Sequence, residues 1–336
     1  MITVENLTKR YGDFLAVDDL SFTIEDGHVY GFLGPNGAGK STTMNIMTGC
    51  LSATSGNVKI DGYDIFQEPN QAKRRIGYLP EQPPLYMNET PLEYLRFVGE
   101  AKGLRGVKLN EQLENVVRKT GILDVVNRRI SNLSKGYKQR VGIAQALLGD
   151  PDVIILDEPT VGLDPLQIIE IRDLITHLGE DHTVILSSHI LPEIQTICEK
   201  ILIIAKGKLV AFDEPVNLEK TLTSSNEILF LTEASQETAG EILDELDLSG
   251  SLTEIAPDER DAAYNRVHLK ISQEDIYGVT RKLFFAFAEK GSALLEMTTK
   301  KATLEDIFIE LTEGGSALPE SELEEGESAD DSGTEA

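Results

Sequence analysis

Residues 29–43 read VYGFLGPNGAGKSTT, and this stretch decides the fold. Its first five residues are mostly apolar and predict a buried parallel strand. The next eight, Gly34-Pro35-Asn36-Gly37-Ala38-Gly39-Lys40-Ser41, fit the phosphate-loop pattern G-x4-G-K-[ST]. The glycines let backbone N–H groups converge on phosphate oxygens, and the helix that follows points its positive end at the same anion. The stretch therefore predicts an α/β fold that binds a nucleotide.

The end of this loop supplies the side chains for binding and chemistry. Lys40 would reach the outer phosphates and act in catalysis, and the Ser41 hydroxyl would bind Mg²⁺. Thr42 is the next candidate contact with the nucleotide. An ordinary glycine-rich turn is the alternative, but the strand before the loop and the helix after it favour the phosphate site.

A second motif indicates hydrolysis. Val153–Leu156 is a continuous apolar stretch that predicts a buried strand, and Asp157 and Glu158 follow it directly. In a phosphate-loop ATPase the acid at the end of such a strand binds Mg²⁺. Asp157 would do so through water, and Glu158 would polarise the attacking water as general base. Alone, the two acids fit a solvated turn; with the phosphate loop they predict a nucleotide hydrolase.

Composition narrows the class of protein. The chain has 336 residues, enough for one large domain and a smaller one. Its net charge of −26 argues against non-specific nucleic-acid binding, which needs a cationic surface. Two cysteines exclude a disulfide framework. No apolar run has the length of a membrane span and the first residues lack the apolar core of a signal peptide, so we expect a cytoplasmic protein.

The order of predicted elements divides the chain. We expect a P-loop NTPase domain over residues 1–215, with a helical subdomain inserted at about 90–148, and a connector over 216–225. Residues 226–312 show the order β-α-β-β-α-β of ferredoxin-like α+β folds and no group of catalytic side chains. Residues 313–336 hold nine acids and no Lys or Arg, which predicts a disordered tail.

Local patterns set the helix boundaries. After the phosphate loop we expect a helix of about three turns with Leu51 on its apolar side. A further helix is expected over 121–127. Ser134 is a good N-cap for a helix that ends near Leu148, and Asp164 is one for the helix that begins at Pro165.

The heptapeptide Leu133–Gln139, LSKGYKQ, resembles the LSGGQ signature of ATP-binding subunits of ABC transporters. With the motifs above, the resemblance covers residues 1 to about 312 and implies the ABC ATPase fold with ATP as the nucleotide. It also implies that the Ser134 hydroxyl and the Gly136 N–H bind the γ-phosphate held by a second subunit. Lys135 and Tyr137 depart from the family pattern, which has Gly and Gln there. Ser134 would also serve as a helix cap.

Three further positions match this family. Asp164, in Val161-Gly162-Leu163-Asp164, resembles the D-loop residue that contacts the partner subunit, and this role is compatible with helix capping. His189 follows a predicted strand at the position of the switch histidine, where it would hydrogen-bond the γ-phosphate. Tyr11 matches the aromatic residue that stacks on adenine.

One loop departs from the family. The family usually has Gln in the loop that senses Mg²⁺ and the membrane partner, whereas here Ile76–Pro80 is followed by Glu81 and then Gln82. Alignment to the strand puts Glu81 in the sensing position. An ionised carboxylate there would bind Mg²⁺ but donate no hydrogen bond. The alternative alignment puts Gln82 there.

Glu81, the LSKG form and the sequence Thr303–Phe308 together resemble the ABC-2-type branch. The resemblance implies a separate integral-membrane permease and a sandwich of two ATPase subunits, as a homodimer or heterodimer, peripheral on the inner face of the membrane. The alternative is a soluble ABC-type ATPase acting on the ribosome or DNA, which the acidic body and single ATPase domain disfavour. A phosphate-loop kinase or GTPase leaves the LSKG helix and His189 unexplained.

Overall fold

The fold is described from a computed structural model. The described residues are 1–222, 226–258, 261–271 and 276–301. The sequence Thr303–Phe308 and the acidic segment 313–336 lie outside them.

Strands and helices alternate through most of the chain. The strands of the described residues are β1 (Ile2–Tyr11), β2 (Phe14–Ile24), β3 (Val29–Leu33), β4 (Ser55–Ile60), β5 (Tyr63–Asp64), β6 (Ile76–Leu79), β7 (Val153–Leu156), β8 (Thr183–Ser188), β9 (Lys200–Ala205), β10 (Lys208–Asp213), β11 (Asn226–Thr232), β12 (Leu252–Pro257), β13 (Asn265–Ile271) and β14 (Leu294–Lys301). The helices are α1 (Lys40–Met47), α2 (Pro69–Arg74), α3 (Pro91–Ala101), α4 (Gly106–Lys119), α5 (Lys135–Leu147), α6 (Pro165–Gly179), α7 (Leu191–Ile197), α8 (Pro215–Leu222), α9 (Gln236–Glu245) and α10 (Ile276–Glu289).

A six-stranded sheet in the order β10-β9-β3-β8-β7-β6 positions the site. The strands from β9 to β6 are parallel, and β10 pairs with β9 in the antiparallel sense. In β7, Val153 and Ile155 join one core while Ile154 and Leu156 join another, so both faces of the sheet are covered. This explains the uninterrupted apolar run. Strand β8 lies between the strand before the phosphate loop and the strand before Asp157.

The two faces have different covers. Helix α1 and the antiparallel sheet β2-β1-β4-β5 pack on one face, where Met44 and Ile46 of α1 meet Val4 of β1 and Phe32 of β3 in one core. Helices α3 to α7 contribute to the core on the other face. Helix α3 begins with a capping box, in which Thr90 and Glu93 exchange side-chain to backbone hydrogen bonds.

The strands and helices from 226 to 301 have a separate core. Their sheet has the order β12-β13-β11-β14 with every neighbouring pair antiparallel, and α9 and α10 share its core. The chain order β-α-β-β-α-β is the one predicted, and this sheet order is that of a ferredoxin-like fold.

Two predicted helices differ in the structure. Helix α1 has eight residues instead of three full turns, because Gly49 takes a left-handed conformation (φ 65°) and the N–H of Cys50 bonds back to the carbonyl of Asn45. Leu51 therefore reaches the core from beyond the helix. The helix expected over 121–127 is also wrong: only a 3-10 turn, Leu123–Val125, forms there.

Candidate active site

The phosphate loop runs from the end of β3 to the start of α1. Gly39 has a φ of 107°, and a Cβ there would lie 2.7 Å from the carbonyl oxygen of Ala16. A Cβ on Gly34 would collide with the carbonyl of Ile204. Glycine is therefore required at both positions, at one by backbone conformation and at both by the close approach of neighbouring backbone.

Lys40 is the first residue of α1 and is almost wholly buried, with 6% of its surface exposed. Its Nζ donates hydrogen bonds to the carbonyl oxygens of Gly34 at 2.7 Å and Pro35 at 3.2 Å. Burial lowers the pKa of Lys40 below its usual value, and the carboxylates of Glu158 and Asp157 oppose this shift. The ammonium group is thus held at the base of the loop between neutral oxygens and acids.

Asp157 sits at the carboxyl end of β7 and receives two hydroxyl groups. Ser41 Oγ donates to its Oδ1 at 3.1 Å, and Ser187 Oγ donates to the same atom at 2.6 Å. Ser187 also accepts the backbone N–H of Glu158 at 2.8 Å. The oxygens of Ser41 and Asp157 therefore converge at one point beside the phosphate loop.

This donor set suits one kind of metal site. Within the described parts of the chain, no cluster of three or more His, Cys, Asp or Glu side chains could hold a metal ion. Mg²⁺ in nucleotide sites is bound through one or two carboxylates together with substrate phosphates. A hydroxyl and a carboxylate in contact, at the foot of a phosphate loop, fit that requirement.

Glu158 and His189 meet above Asp157. Glu158 is buried and its backbone is left-handed, with a φ of 49°. Its Oε2 lies 3.0 Å from Nδ1 of His189, and its Oε1 lies 3.7 Å from Nζ of Lys40. The carboxylate therefore faces both the Lys40 ammonium group and His189, which directly follows β8.

These groups open into one cavity of about 300 Å³. Tyr11 and Phe14 stand at its rim as facing residues of the β1–β2 hairpin, and both are exposed. Glu81 lines the cavity, whereas Gln82 is not among the described residues that do so. The other lining residues are Ala16, Asn36, Gly37, Gly39, Lys40, Ser41, Thr42, Glu158, Val161 and His189.

The predicted signature residues lie elsewhere. Ser134, Gly136 and Asp164 line a second cavity of about 400 Å³, and no described residue lines both cavities. Ser134 Oγ accepts the N–H of Tyr137 at 3.4 Å, and Asp164 Oδ1 accepts the N–H of Gln167 at 2.9 Å. Both residues thus cap helices, α5 and α6, as the sequence predicted.

Sequence reasoning missed two side chains of the site: Phe14, which lines the first cavity, and Ser187, which donates a hydrogen bond to Asp157. Phe14 was not predicted, although a two-residue turn places it opposite Tyr11. Ser187 was not predicted either, although a serine at the end of an apolar parallel strand is a signal that it could face the site. Ala38 is buried within the loop and its side chain lines neither cavity.

Comparison with known proteins identifies the family. Residues 17–161 match the family model described as ABC transporter. The chain is 35% identical over 314 residues to an uncharacterized ABC transporter ATP-binding protein, YhcH, of Bacillus subtilis, covering 93% of this chain and 96% of that protein. The chain belongs to the family of ABC transporter ATP-binding proteins.

Other members extend this result. The bacitracin transport ATP-binding protein BcrA of Bacillus licheniformis is 35% identical over 320 residues, which covers 94% of this chain and 98% of that one. A solved ATP-binding subunit of an ABC transporter matches with a TM-score of 0.60 at 30% identity, covering 66% of this chain and 92% of that one.

A second solved relative is the ATP-binding cassette MJ0796, in a dimeric post-hydrolysis state with ADP and Pi. It has a TM-score of 0.58 at 26% identity, covering 64% of this chain and 98% of that one. The predicted ABC ATPase fold is confirmed, and this ABC protein is an ATPase that binds and hydrolyses ATP as a transporter subunit. The transport function is favoured over the ribosome or DNA alternative. None of its described helices is long and apolar enough to cross a membrane.

Proposed function

We propose that this ABC ATPase powers a separate integral-membrane permease of the ABC-2 type by closing on a second ATP-binding subunit. The observation that carries the proposal is the separation of its two cavities. Phosphate-binding groups line one cavity, and Ser134, Gly136 and Asp164 line the other. A site that needs both sets is completed by a second subunit, identical or homologous, facing the first.

Within one subunit, each group has a task that follows from its position. The N–H groups of the phosphate loop and Lys40 bind the β- and γ-phosphates of ATP. Ser41 and Asp157 would hold Mg²⁺, which would neutralise charge on those phosphates. Glu158 takes the proton of the attacking water, and His189 orients the γ-phosphate and the Glu158 carboxylate it contacts.

The rim of the cavity recognises the rest of the nucleotide and the partner. Tyr11 stacks on adenine, and the adjacent Phe14 widens this aromatic surface. Glu81 is the acid that senses Mg²⁺ and the permease, since it faces the cavity that contains Lys40. From the opposite subunit, Ser134 and Gly136 bind the γ-phosphate.

The proposed permease partner determines where in the cell this ATPase subunit works. The subunit works in the cytoplasm, held to the inner face of the membrane through the permease. Its relative BcrA is named for bacitracin transport, which supports a transport role of this kind.

A complementation experiment tests the shared site. Lys40→Ala removes the phosphate-binding cation, and Ser134→Arg blocks the opposing signature. In a homodimer of either variant both sites carry the lesion. Mixing the two variants creates heterodimers in which one site is doubly damaged and the other is wild type.

The readout is ATP retained after rapid gel filtration, with Glu158→Gln added to both variants to slow hydrolysis. We expect the mixture to retain more ATP than either variant alone at matched concentration, with permease present if pairing needs it. If tagged heterodimers are recovered and retain no extra ATP, Lys40 and Ser134 do not share a site.

A further inference from the structure

Glu193 is a buried acid outside the nucleotide cavity. It lies in the first turn of α7, four residues after His189, and only 4% of its surface is exposed. A buried carboxylate is costly unless hydrogen bonds and a counter-charge satisfy it. Glu193 has both.

Two hydroxyl groups bind the same oxygen of Glu193. Thr160 Oγ1 donates to Oε2 at 2.6 Å, and Ser188 Oγ donates to it at 3.3 Å. Ser188 Oγ also accepts the N–H of Ile190 at 3.0 Å. This hydrogen bond joins the residues directly before and directly after His189. The carboxylate thus joins the loop after β7 to the last residue of β8.

These contacts close a ring. Thr160 is two residues after Glu158, Ser188 directly precedes His189, and the Glu158 carboxylate lies 3.0 Å from His189 Nδ1. Two connections therefore fix the distance between Glu158 and His189. One is their direct contact, and the other is the bridge from Thr160 through Glu193 to Ser188. Glu158, Thr160, Ser188 and Glu193 are buried, and His189 is the exposed member of the ring.

The counter-charge comes from α6. Arg172 Nη2 lies 3.6 Å from Oε1 of Glu193, the oxygen that the two hydroxyls leave open. Helix α6 begins at its N-cap Asp164, a residue of the second cavity, two turns before Arg172. The Glu193 carboxylate therefore connects the segments that carry Glu158 and His189 to α6, the helix whose N-cap lines the second cavity.

We propose that Glu193 is a positioning residue for ATP hydrolysis, which fixes Glu158 and His189 relative to each other and links their geometry to α6. The inference rests on the proposed roles of Glu158 and His189. Glu193 does not line the nucleotide cavity, so its loss should leave ATP binding intact and lower turnover. A misplacement of about 1 Å in a catalytic group costs up to about 100-fold in rate.

Thr160 gives the cleanest test, because its variants change one hydroxyl. Thr160→Val removes the bond to Glu193 at nearly constant volume, and Thr160→Ser retains it. We expect Thr160→Val to lower kcat about tenfold with the Kd for ATP within about twofold of wild type, and Thr160→Ser to recover most of the rate. Glu193→Gln, which discharges the pair with Arg172, should show the same split between kcat and Kd.

The control separates positioning from general stability. Asp258 is a buried acid paired with Arg266 in the sheet of β11 to β14, with Oδ2 2.7 Å from Nη2. Asp258→Asn should lower Tm without changing turnover per ATP-binding site. If Thr160→Val and Glu193→Gln also lower Tm and leave turnover per site unchanged, Glu193 is merely structural. Glu158→Gln separates the inference from the proposed function. If Glu158→Gln loses turnover and these variants do not, the inference is wrong and the proposed function stands. If Glu158→Gln keeps full turnover, the result counts against the proposed function itself.

Discussion

Lys40 Nζ and Glu158 Oε1 lie 3.7 Å apart, and both side chains are almost wholly buried. The proposed phosphate-binding cation and the proposed general base are therefore electrostatic partners. The Glu158 carboxylate opposes the lowering of the Lys40 pKa by burial, in a part of the protein where screening by water is weak. If Lys40 binds ATP as proposed, the γ-phosphate is a second anion that competes for the same ammonium group.

Glu158→Gln should bind MgATP at least as tightly as wild type and hydrolyse it slowly, because the general base is lost while the phosphate cradle remains. We expect turnover to fall by about 100-fold or more. Phosphate release and the elution volume with and without ATP are the measurements, and a closed dimer should appear only with ATP. Undiminished turnover would remove Glu158 from the role of base.

Ser187→Ala should damage both folding and hydrolysis. It removes the hydroxyl that bridges Asp157 Oδ1 and the Glu158 N–H. The buried Glu158 N–H is then left unpaired at a cost of about 1–3 kcal/mol, while Asp157 Oδ1 keeps only the hydrogen bond from Ser41. Urea unfolding and the Mg²⁺ dependence of ATPase activity are the measurements. Thr183→Val is the matched control, since Thr183 is buried on the same strand and its hydroxyl accepts the Gly27 N–H. The control should lower stability alone; equal loss of turnover in both variants would contradict a specific role for Ser187.

Glu81→Ala should disturb permease-stimulated hydrolysis more than ATP binding, because Glu81 lines the nucleotide cavity near Lys40. Gln82→Ala is its neighbour control and should be milder. Stimulation is measured as the ratio of ATPase rates with and without reconstituted permease. A larger effect of Gln82→Ala would mean that the loop is aligned one residue off.

Deletion of residues 313–336 should leave ATPase activity and Tm nearly unchanged. The segment lies outside the described residues, and its composition of acids, Gly and Ser predicts little buried surface. Activity and thermal unfolding of the shortened chain are compared with those of the full chain. A large drop in either would show that the acidic segment docks on the folded body.

Sequence alone predicted the contiguous parts of the site. The phosphate loop and Asp157-Glu158 are each written in one short stretch, at the end of a strand whose apolar run is unambiguous. The same holds for the helix caps at Ser134 and Asp164, because a cap acts on the three residues after it.

What the sequence did not reveal depends on the order of strands. Ser187 reaches Asp157 because β8 pairs with β7, and Glu193 reaches Thr160 because α7 returns beside the loop after β7. Neither relationship has a signature at fixed spacing. The helix expected over 121–127 failed for a local reason: Gly121 is left-handed at its start and the segment is too short to propagate a helix.

The left-handed backbone conformation of Glu158 lowers folding stability at a position where the proposed activity requires a carboxylate. Seven described non-glycine residues have a positive φ, and five of them are Asn or Asp, which tolerate this conformation. The other two are Lys206 and Glu158, of which Glu158 is buried. Such a residue costs on the order of 1 kcal/mol of conformational free energy. Glycine or asparagine at this position would relieve that cost and delete the proposed catalytic carboxylate. A screen for thermostable variants is therefore expected to return both substitutions, and to return them inactive.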